Sequence, residues 1–301
     1  MSFTTEIKNE ICLNSFSKLE NICMLSGFLR NNAIIKDDSL VVLTENPKVI
    51  RKIFSLFKEL YDINPVISQG KSHNFNNKSY YNLVVLEKVP LILQDLMVEN
   101  EKVSDYFLDS SDLKRAYLRG AFLASGSVND PKKSRYHLEF LVDSFLEAKF
   151  LCELLNVFNI NAKVISRDKG YMTYVKEAEK IGDFLRLMGT NQAILYYEDI
   201  RIYRDHKNMT NRLNNCEQAN VDKAINASKR QLEDIAIIKE KLGISLLDDK
   251  LKEAIIYREK YPDVSLLELS AIISQETEKK LTKSGLNHRF RKIHEIALKL
   301  K

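Results

Sequence analysis

The segment Leu118-Arg119-Gly120-Ala121-Phe122-Leu123-Ala124-Ser125-Gly126 has a counterpart earlier in the chain, Leu25-Ser26-Gly27-Phe28-Leu29-Arg30-Asn31-Asn32. Both segments carry a Leu-x-Gly core within a helical pattern. A glycine inside a helix costs about 1 kcal/mol relative to alanine, so Gly27 and Gly120 at matching positions call for a packing reason. The simplest reason is a close approach of two helices. We therefore predict that the two helices pack together along their glycine faces and form the seam of a pseudo-twofold domain.

The elements that follow each of these helices repeat in the same order. A β-rich run is followed by a helix with apolar residues at helical spacing, and further strands and a short helix complete each copy. The predicted positions are 40–43, 48–61, 63–68, 80–86 and 90–97 in the first copy, and 136–141, 145–158, 160–166, 171–175 and 181–188 in the second. The sequence thus predicts an α+β fold in which the unit α-β-β-α-β-β-α occurs twice, with the two sheets forming one saddle.

Composition places the chain among globular proteins. It has 301 residues with 45% hydrophobic content, which is enough to bury a core and to form two or three domains. The first residues carry Glu6, Lys8 and Glu10 among apolar positions, unlike a signal peptide. No apolar run approaches the roughly 20 residues that span a bilayer. We expect a soluble, cytoplasmic protein without a membrane partner.

The cysteines give no sign of a metal site. Cys12, Cys23, Cys152 and Cys216 form no C-x-x-C pair, so neither a disulfide framework nor a zinc site is indicated. We expect buried thiols, no metal and no cofactor.

Positive charge is concentrated in the C-terminal third. The whole chain has a formal net charge of +5, whereas residues 201–301 alone contain 21 Lys and Arg against 15 Asp and Glu. This asymmetry favours a polyanionic partner for that third. A solvated basic surface is the alternative on charge alone.

Residues 196–241 contain no proline, and we predict one or two long helices there that link the saddle to the C-terminal end. The first half of this connector has a polar, partly basic face. Its candidate contacts to DNA or to a partner are Arg201, Arg204, Asn208, Asn211, Arg212 and Asn215. Asparagine is a poor helix-interior residue, so the stripe indicates hydrogen bonding to phosphates or to a partner's backbone. A solvated face with local caps and turns is an equally weighted alternative.

Three helices are predicted at the C-terminal end. The first runs over 248–260, and the second starts at Ser265, which forms a capping box with Glu268. A polar connector over 274–280 leads to a third helix at 283–300. This connector is longer than the usual turn of a helix-turn-helix.

The third helix predicts DNA binding. Its core stripe consists of Leu286, Phe290, Ile293, Ala297 and Leu300. Between Thr282 and His294 it has four basic residues, two histidines and no acid. Four side chains are placed to meet base edges in the major groove: Ser284, Asn287, His288 and Arg291. Three suit phosphates: Lys283, Arg289 and Lys292. An ordinary amphipathic surface helix is the alternative.

The duplicated glycine helix within this α/β unit resembles the LAGLIDADG homing endonuclease fold. The resemblance implies paired helices whose C-terminal acids would hold metal ions over the scissile phosphates of DNA. In this chain the acidic position falls on Asn32 in the first helix and on Ser125 in the second, and neither carries a charge. The nearest acids, Asp37, Asp38 and Asp130, lie outside the motif register. We expect a scaffold without catalytic residues, so a residual metal-dependent endonuclease is a minor alternative.

Two further segments extend the resemblance over nearly the whole chain. They are Arg212-Leu213-Asn214-Asn215-Cys216-Glu217-Gln218-Ala219-Asn220 and Ser284-Gly285-Leu286-Asn287-His288-Arg289-Phe290-Arg291-Lys292. With the degenerate LAGLIDADG-like part, they are similar to the WhiA family of bacterial DNA-binding regulators. The resemblance implies a non-enzymatic protein of the nucleoid with roles in transcription, cell division and chromosome segregation, which binds double-stranded DNA mainly through its C-terminal helix-turn-helix.

The expected organisation has four parts. Residues 1–105 and 106–195 form the two LAGLIDADG-like halves, 196–242 the linker and 243–301 the helix-turn-helix. The alternative function is an accessory factor whose saddle docks a protein, such as RNA polymerase or a division protein, or a small ligand.

Overall fold

The computed structural model describes residues 1–36, 38–71, 79–100, 103–104, 106–133 and 135–301. Two compact units pack separately, residues 1–204 and residues 205–301. No helix among the described residues is long and apolar enough to span a membrane.

The first unit contains the predicted duplication. Its first copy consists of α2 (Lys18–Arg30), β1 (Ile34–Lys36), β2 (Ser39–Thr44), α3 (Pro47–Tyr61), β3 (Val66–Lys71), β4 (Ser79–Val85) and α4 (Val89–Asp95), preceded by α1 (Phe3–Leu13). Its second copy consists of α5 (Ser111–Ser125), β5 (Gly126–Val128), β6 (Leu138–Val142), α6 (Phe145–Val157), β7 (Lys163–Arg167), β8 (Gly170–Val175) and α7 (Ala178–Met188). The unit α-β-β-α-β-β-α is therefore confirmed in both copies.

Each copy folds its four strands into one antiparallel sheet of the same topology. The strand orders are β1-β2-β4-β3 and β5-β6-β8-β7. In the first sheet Leu40 pairs with Val85 and Val42 pairs with Leu83, and all four are buried on the face that packs on the helices. Alternation of side chains along a strand leaves the neighbouring residues on the opposite face.

Helices α2 and α5 pack backbone to backbone at the two predicted glycines. A Cβ on Gly27 would overlap the carbonyl oxygen of Tyr117, and a Cβ on Gly120 would lie 2.8 Å from the carbonyl carbon of Met24. Both glycines are helical, so close approach rather than an unusual backbone conformation requires them. The predicted seam is confirmed.

A buried polar cluster joins the two copies beside this seam. The Arg30 guanidinium of α2 pairs with the Glu147 carboxylate of α6 at 3.0 Å, and the hydroxyl of Tyr117 on α5 donates to the same carboxylate at 2.7 Å. Burial, together with the Glu147 carboxylate, raises the pKa of Tyr117 well above its usual value. The hydroxyl therefore stays protonated and keeps donating, so this buried carboxylate is fully paired.

The sequence analysis did not predict α1. This helix attaches the N-terminus to the second copy, because the Thr4 hydroxyl donates to the Val128 carbonyl and accepts from the Val128 N–H. The Lys8 ammonium donates to the Leu123 carbonyl at 3.1 Å, near the C-terminal end of α5. Burial lowers the pKa of Lys8 to about 8.

A single helix, α8 (Asn191–Lys241), follows α7. It begins before the predicted residue 196 because its first turn is capped from far away in the sequence. The Glu10 carboxylate accepts from the N–H groups of Gln192 and Ala193 at 2.8 and 3.1 Å. A carboxylate is favourable at a helix N-terminus, where N–H groups lack partners.

The second unit is helical. After a short 3-10 turn at Ile244–Leu246, it contains α9 (Asp249–Lys260), α10 (Leu266–Thr277) and α11 (Lys283–Leu300). These helices and the end of α8 share one core, whose fully buried members are Ile235, Ile238, Ala254, Ile255, Leu269, Ile273, Leu286, Ile293 and Ala297. The predicted capping box of Ser265 and Glu268 is present.

The connector before α11 is shorter than the predicted 274–280. Residues Ser274 and Thr277 are helical, because their hydroxyls donate to the carbonyls of Ser270 and Ile273 at 2.7 Å and thus satisfy themselves within α10. The turn is confined to residues 278–282 and starts at Glu278, whose backbone is left-handed. This brings the turn close to the usual helix-turn-helix length.

We expect Gly120→Ala to destabilise the first unit by about 1–3 kcal/mol, because the new methyl group meets rigid backbone. Chemical denaturation followed by circular dichroism measures the change. Gly182→Ala is the matched control in α7, since its Cβ would meet only the side chains of Glu198 and Ile194. Equal stabilities for Gly120→Ala and wild type would contradict the close seam.

The pH dependence of stability should reveal the burial of Lys8. Between the folded pKa of about 8 and the ordinary value of 10.5, the unfolded chain holds a proton that the folded chain has released, so wild type gains stability as pH rises. Relative to Lys8→Met, the gain is at most about 1.4 kcal/mol per pH unit, reduced by the partial exposure of the side chain. Denaturation of both proteins from pH 7 to 10.5 measures it. A constant difference would refute the shift.

Candidate nucleic-acid interface

Helix α11 is amphipathic and firmly docked by one face. The Thr282 hydroxyl caps it by accepting from the Gly285 N–H at 3.1 Å. The predicted core stripe is buried at Leu286, Phe290, Ile293 and Ala297, and Leu300 is partly buried. The opposite face is exposed along the helix.

Six of the seven predicted DNA contacts lie on this exposed face. They are Lys283, Ser284, Asn287, His288, Arg291 and Lys292. None of these six side chains has a hydrogen bond or ion pair with any described residue. The first turn of α11 contains no acidic residue. The face therefore presents donors and positive charge at a helix N-terminus, where N–H groups already favour anions.

Arg289, the seventh, is held inside the second unit. Its guanidinium pairs with the Glu253 carboxylate and also donates to the Lys250 carbonyl of α9 at 3.3 Å. Its side chain is 17% exposed. In this conformation Arg289 fixes α11 against α9.

Arg258, which no sequence pattern singled out, binds the loop that leads into α10. This residue is 1% exposed, and its guanidinium donates to the carbonyls of Tyr261, Pro262 and Val264 at 2.8–3.4 Å. It also lies over the Phe290 ring, 5.6 Å from the centroid. One buried cation thus ties the loop before α10 to the core of α11. A basic residue at the end of a predicted helix gave no sign of this role.

Two residues of α8 that sequence analysis did not select face α11. Arg230 and Asp234 line a cleft of about 270 Å³ with Asn287, Arg291 and His294. The buried Asp234 carboxylate lies 2.7 Å from Nδ1 of His294. The cleft opens beside the predicted base-reading residues.

The polar face of the connector divides into two groups. Arg201 pairs with Glu198 at 2.6 Å. Arg204 donates to the carbonyls of Pro131 and Lys133 at 2.7 Å and lies over the Tyr136 ring. Both serve the packing of the first unit. The other four predicted side chains are exposed: Asn208, Asn211, Arg212 and Asn215.

The positions of the endonuclease acids are occupied by residues that serve the fold. The Asn32 amide pairs with both backbone groups of Leu43, at 3.0 and 3.1 Å, and the Ser125 hydroxyl donates to the Ala121 carbonyl. Asp130 accepts from the Tyr196 hydroxyl and from a backbone N–H, whereas Asp37 lies outside the described residues. Among the residues that the structure covers, no group of three or more His, Cys, Asp or Glu could hold a metal ion.

The outer face of the first sheet presents aliphatic side chains. One row of aliphatic residues crosses all four strands, formed by Ile34, Val41, Val84 and Val66. Ile34 and Val66 are 43% and 58% exposed. A phosphate backbone is bound chiefly by cations, so this row does not suit it.

Family models match three consecutive parts of the chain. The WhiA N-terminal LAGLIDADG-like domain matches residues 20–98, the WhiA LAGLIDADG-like domain matches residues 114–207, and the WhiA C-terminal HTH domain matches residues 210–297. They confirm the LAGLIDADG-like fold and the helix-turn-helix domain.

Curated relatives and a solved structure agree with these matches. Proteins of Bacillus cytotoxicus and Bacillus mycoides named "Probable cell division protein WhiA" are each 41% identical over 311 aligned positions, covering 100% of this chain and 98% of theirs. The crystal structure of full-length WhiA from Thermatoga maritima is 25% identical with a TM-score of 0.57, and 99% of each chain is covered. The chain therefore belongs to the WhiA family.

Proposed function

We propose that this protein is a sequence-specific, duplex-DNA-binding transcription regulator of the nucleoid, linked to cell division and chromosome segregation, and not a nuclease. The observation that carries the proposal is the exposed face of α11, where six polar or basic side chains have no partner among the described residues. The link to division rests on the names of the Bacillus relatives.

The spacing on α11 suits the major groove. Ser284, Asn287, His288 and Arg291 recur at three, one and three residues and form one stripe near the N-terminal half of the helix. Recognition helices enter the major groove by this part. Asparagine and arginine make bidentate contacts to adenine and guanine, so Asn287 and Arg291 are assigned to base reading.

Phosphate contacts flank this stripe. Lys283 and Lys292 are exposed, and an ammonium group is a point charge suited to backbone phosphates. The unpaired N–H groups at the start of α11 add to the attraction. Base reading and backbone binding thus come from the same helix.

The first unit supports this role without cutting DNA. Hard divalent cations need anionic oxygen ligands, and the positions that supply them in the endonuclease fold are the neutral Asn32 and Ser125. Both side chains are engaged with backbone groups of their own unit. We assign this unit an accessory role.

Two variants separate base reading from backbone binding. Arg291→Ala should cost about 1–3 kcal/mol at the preferred site and flatten base preference, whereas Lys292→Ala should weaken all sequences alike and reduce the salt slope by about 1. Fluorescence anisotropy across a salt series measures both. Lys299→Ala, on the same helix but in its last turn, is the control for loss of one charge. Unchanged affinity in both test variants would refute DNA binding by α11.

Plasmid incubated with the protein and magnesium or manganese should stay supercoiled, because the neutral Asn32 and Ser125 stand where the endonuclease fold has its acidic ligands. Agarose gel electrophoresis detects nicking. The nuclease alternative would return if nicking were observed with wild type and lost in Asp130→Asn. Nicking that is unaffected by this substitution would indicate a contaminant.

A further inference from the structure

We propose that the cleft between α8 and α11 binds a DNA backbone phosphate, held by Arg230 and His294 beside the base-reading Arg291. This inference rests on the proposed DNA binding and extends the interface from α11 to the connecting helix. Arg230 and His294 were not among the predicted contacts.

The cleft has the size and position for one phosphate group. Its volume of about 270 Å³ is large enough to admit a phosphate group. Asn287 and Arg291 line it and also belong to the base-reading stripe. The anion that arrives at this cleft when α11 enters a groove is therefore a phosphate of the same duplex.

Two guanidinium groups reach the cleft without a carboxylate partner. Arg291 has no side-chain hydrogen bond to a described residue, and among the described residues Arg230 donates only to the carbonyl of Asn226 on its own helix, at 3.2 Å. Guanidinium groups bind phosphates bidentately, so Arg230 is assigned to the phosphate, and the nearby charge of Arg291 adds to the attraction. Arg230 lies on α8 and His294 on α11, so one phosphate would bridge the two helices.

Asp234 contacts His294 and, among the described residues, forms no ion pair with Arg230 or Arg291. Its carboxylate is 5% exposed and contacts Nδ1 of His294 at 2.7 Å. This contact orients the imidazole and leaves Nε2 without an intramolecular partner among the described residues, so Nε2 can donate to a phosphate oxygen when both ring nitrogens carry protons. The remaining acid of the cleft, Glu295, is exposed and has no ion pair with either arginine.

The amide of Gln231 adds a polar group to the floor of the cleft. Its Oε1 is buried without a hydrogen-bond partner among the described residues. Amide oxygen and nitrogen exchange places on a flip, which would present the NH₂ group as a donor to a bound phosphate. A phosphate bound in the cleft would give the Gln231 amide a hydrogen-bond partner.

The test measures the affinity of the full-length protein for DNA by fluorescence anisotropy. Duplexes of preferred and scrambled sequence are compared from about 50 to 300 mM salt. Arg230→Gln and His294→Gln should each weaken binding about 3- to 10-fold on both duplexes, and Arg230→Gln should reduce the salt slope by about 0.9 for one lost phosphate contact. Glu295→Gln should tighten binding, because it removes the acid at the cleft. Lys229→Gln is the control, since its side chain is exposed on α8 next to Arg230 but outside the cleft.

The outcomes separate this proposal from the proposed function. If Lys292→Ala reduces the salt slope and Arg230→Gln leaves it unchanged, phosphate binding in the cleft is refuted. DNA binding by α11 would then still stand. No effect from Arg230, Arg291 and Lys292 variants alike would overturn both. Equal losses in Arg230→Gln and Lys229→Gln would show a general charge effect and also overturn the cleft.

Discussion

The first unit depends on the contact between two helix backbones. Gly27 and Gly120 let α2 and α5 approach until each lies against a carbonyl group of the other helix. Every strand and outer helix of a copy is placed relative to its own central helix, so this contact sets the position of one sheet with respect to the other. The buried pair of Arg30 and Glu147 crosses the same seam and adds directional contacts that apolar packing lacks.

Neutral residues at the ends of α2 and α5 take part in the hydrogen bonding of the first unit. These positions are Asn32 after α2 and Ser125 at the end of α5, where the endonuclease fold would place acidic residues. Here Asn32 joins β2 by pairing with Leu43, and the Lys8 ammonium supplies a cation beside the α5 terminus. A cation favours the negative end of a helix dipole.

Sequence patterns predicted the features that local rules dictate. Glycine in a helix violates propensity, so Gly27 and Gly120 revealed the seam, and apolar periodicity revealed the core face of α11. Features fixed by distant partners were missed: Glu10 caps α8, and Arg204 binds carbonyls at Pro131 and Lys133. The end of α10 was misplaced because side-chain hydrogen bonds let Ser274 and Thr277 remain helical. Contacts between residues far apart in the sequence cannot be inferred from composition or local spacing.

The basic residues of the second unit fall into two groups, those paired within the unit and those exposed without a partner among the described residues. The second group favours an external partner. Arg258 and Arg289 are occupied by carbonyl groups or by Glu253, and both are largely withdrawn from solvent. By contrast, Lys283, Arg291 and Lys292 share one exposed face without internal partners. Exposed cations contribute little to folding, yet each one that meets a phosphate releases counterions and strengthens binding. Charge that serves the fold and charge available to DNA are therefore carried by different side chains, even where Arg289 and Arg291 are two residues apart.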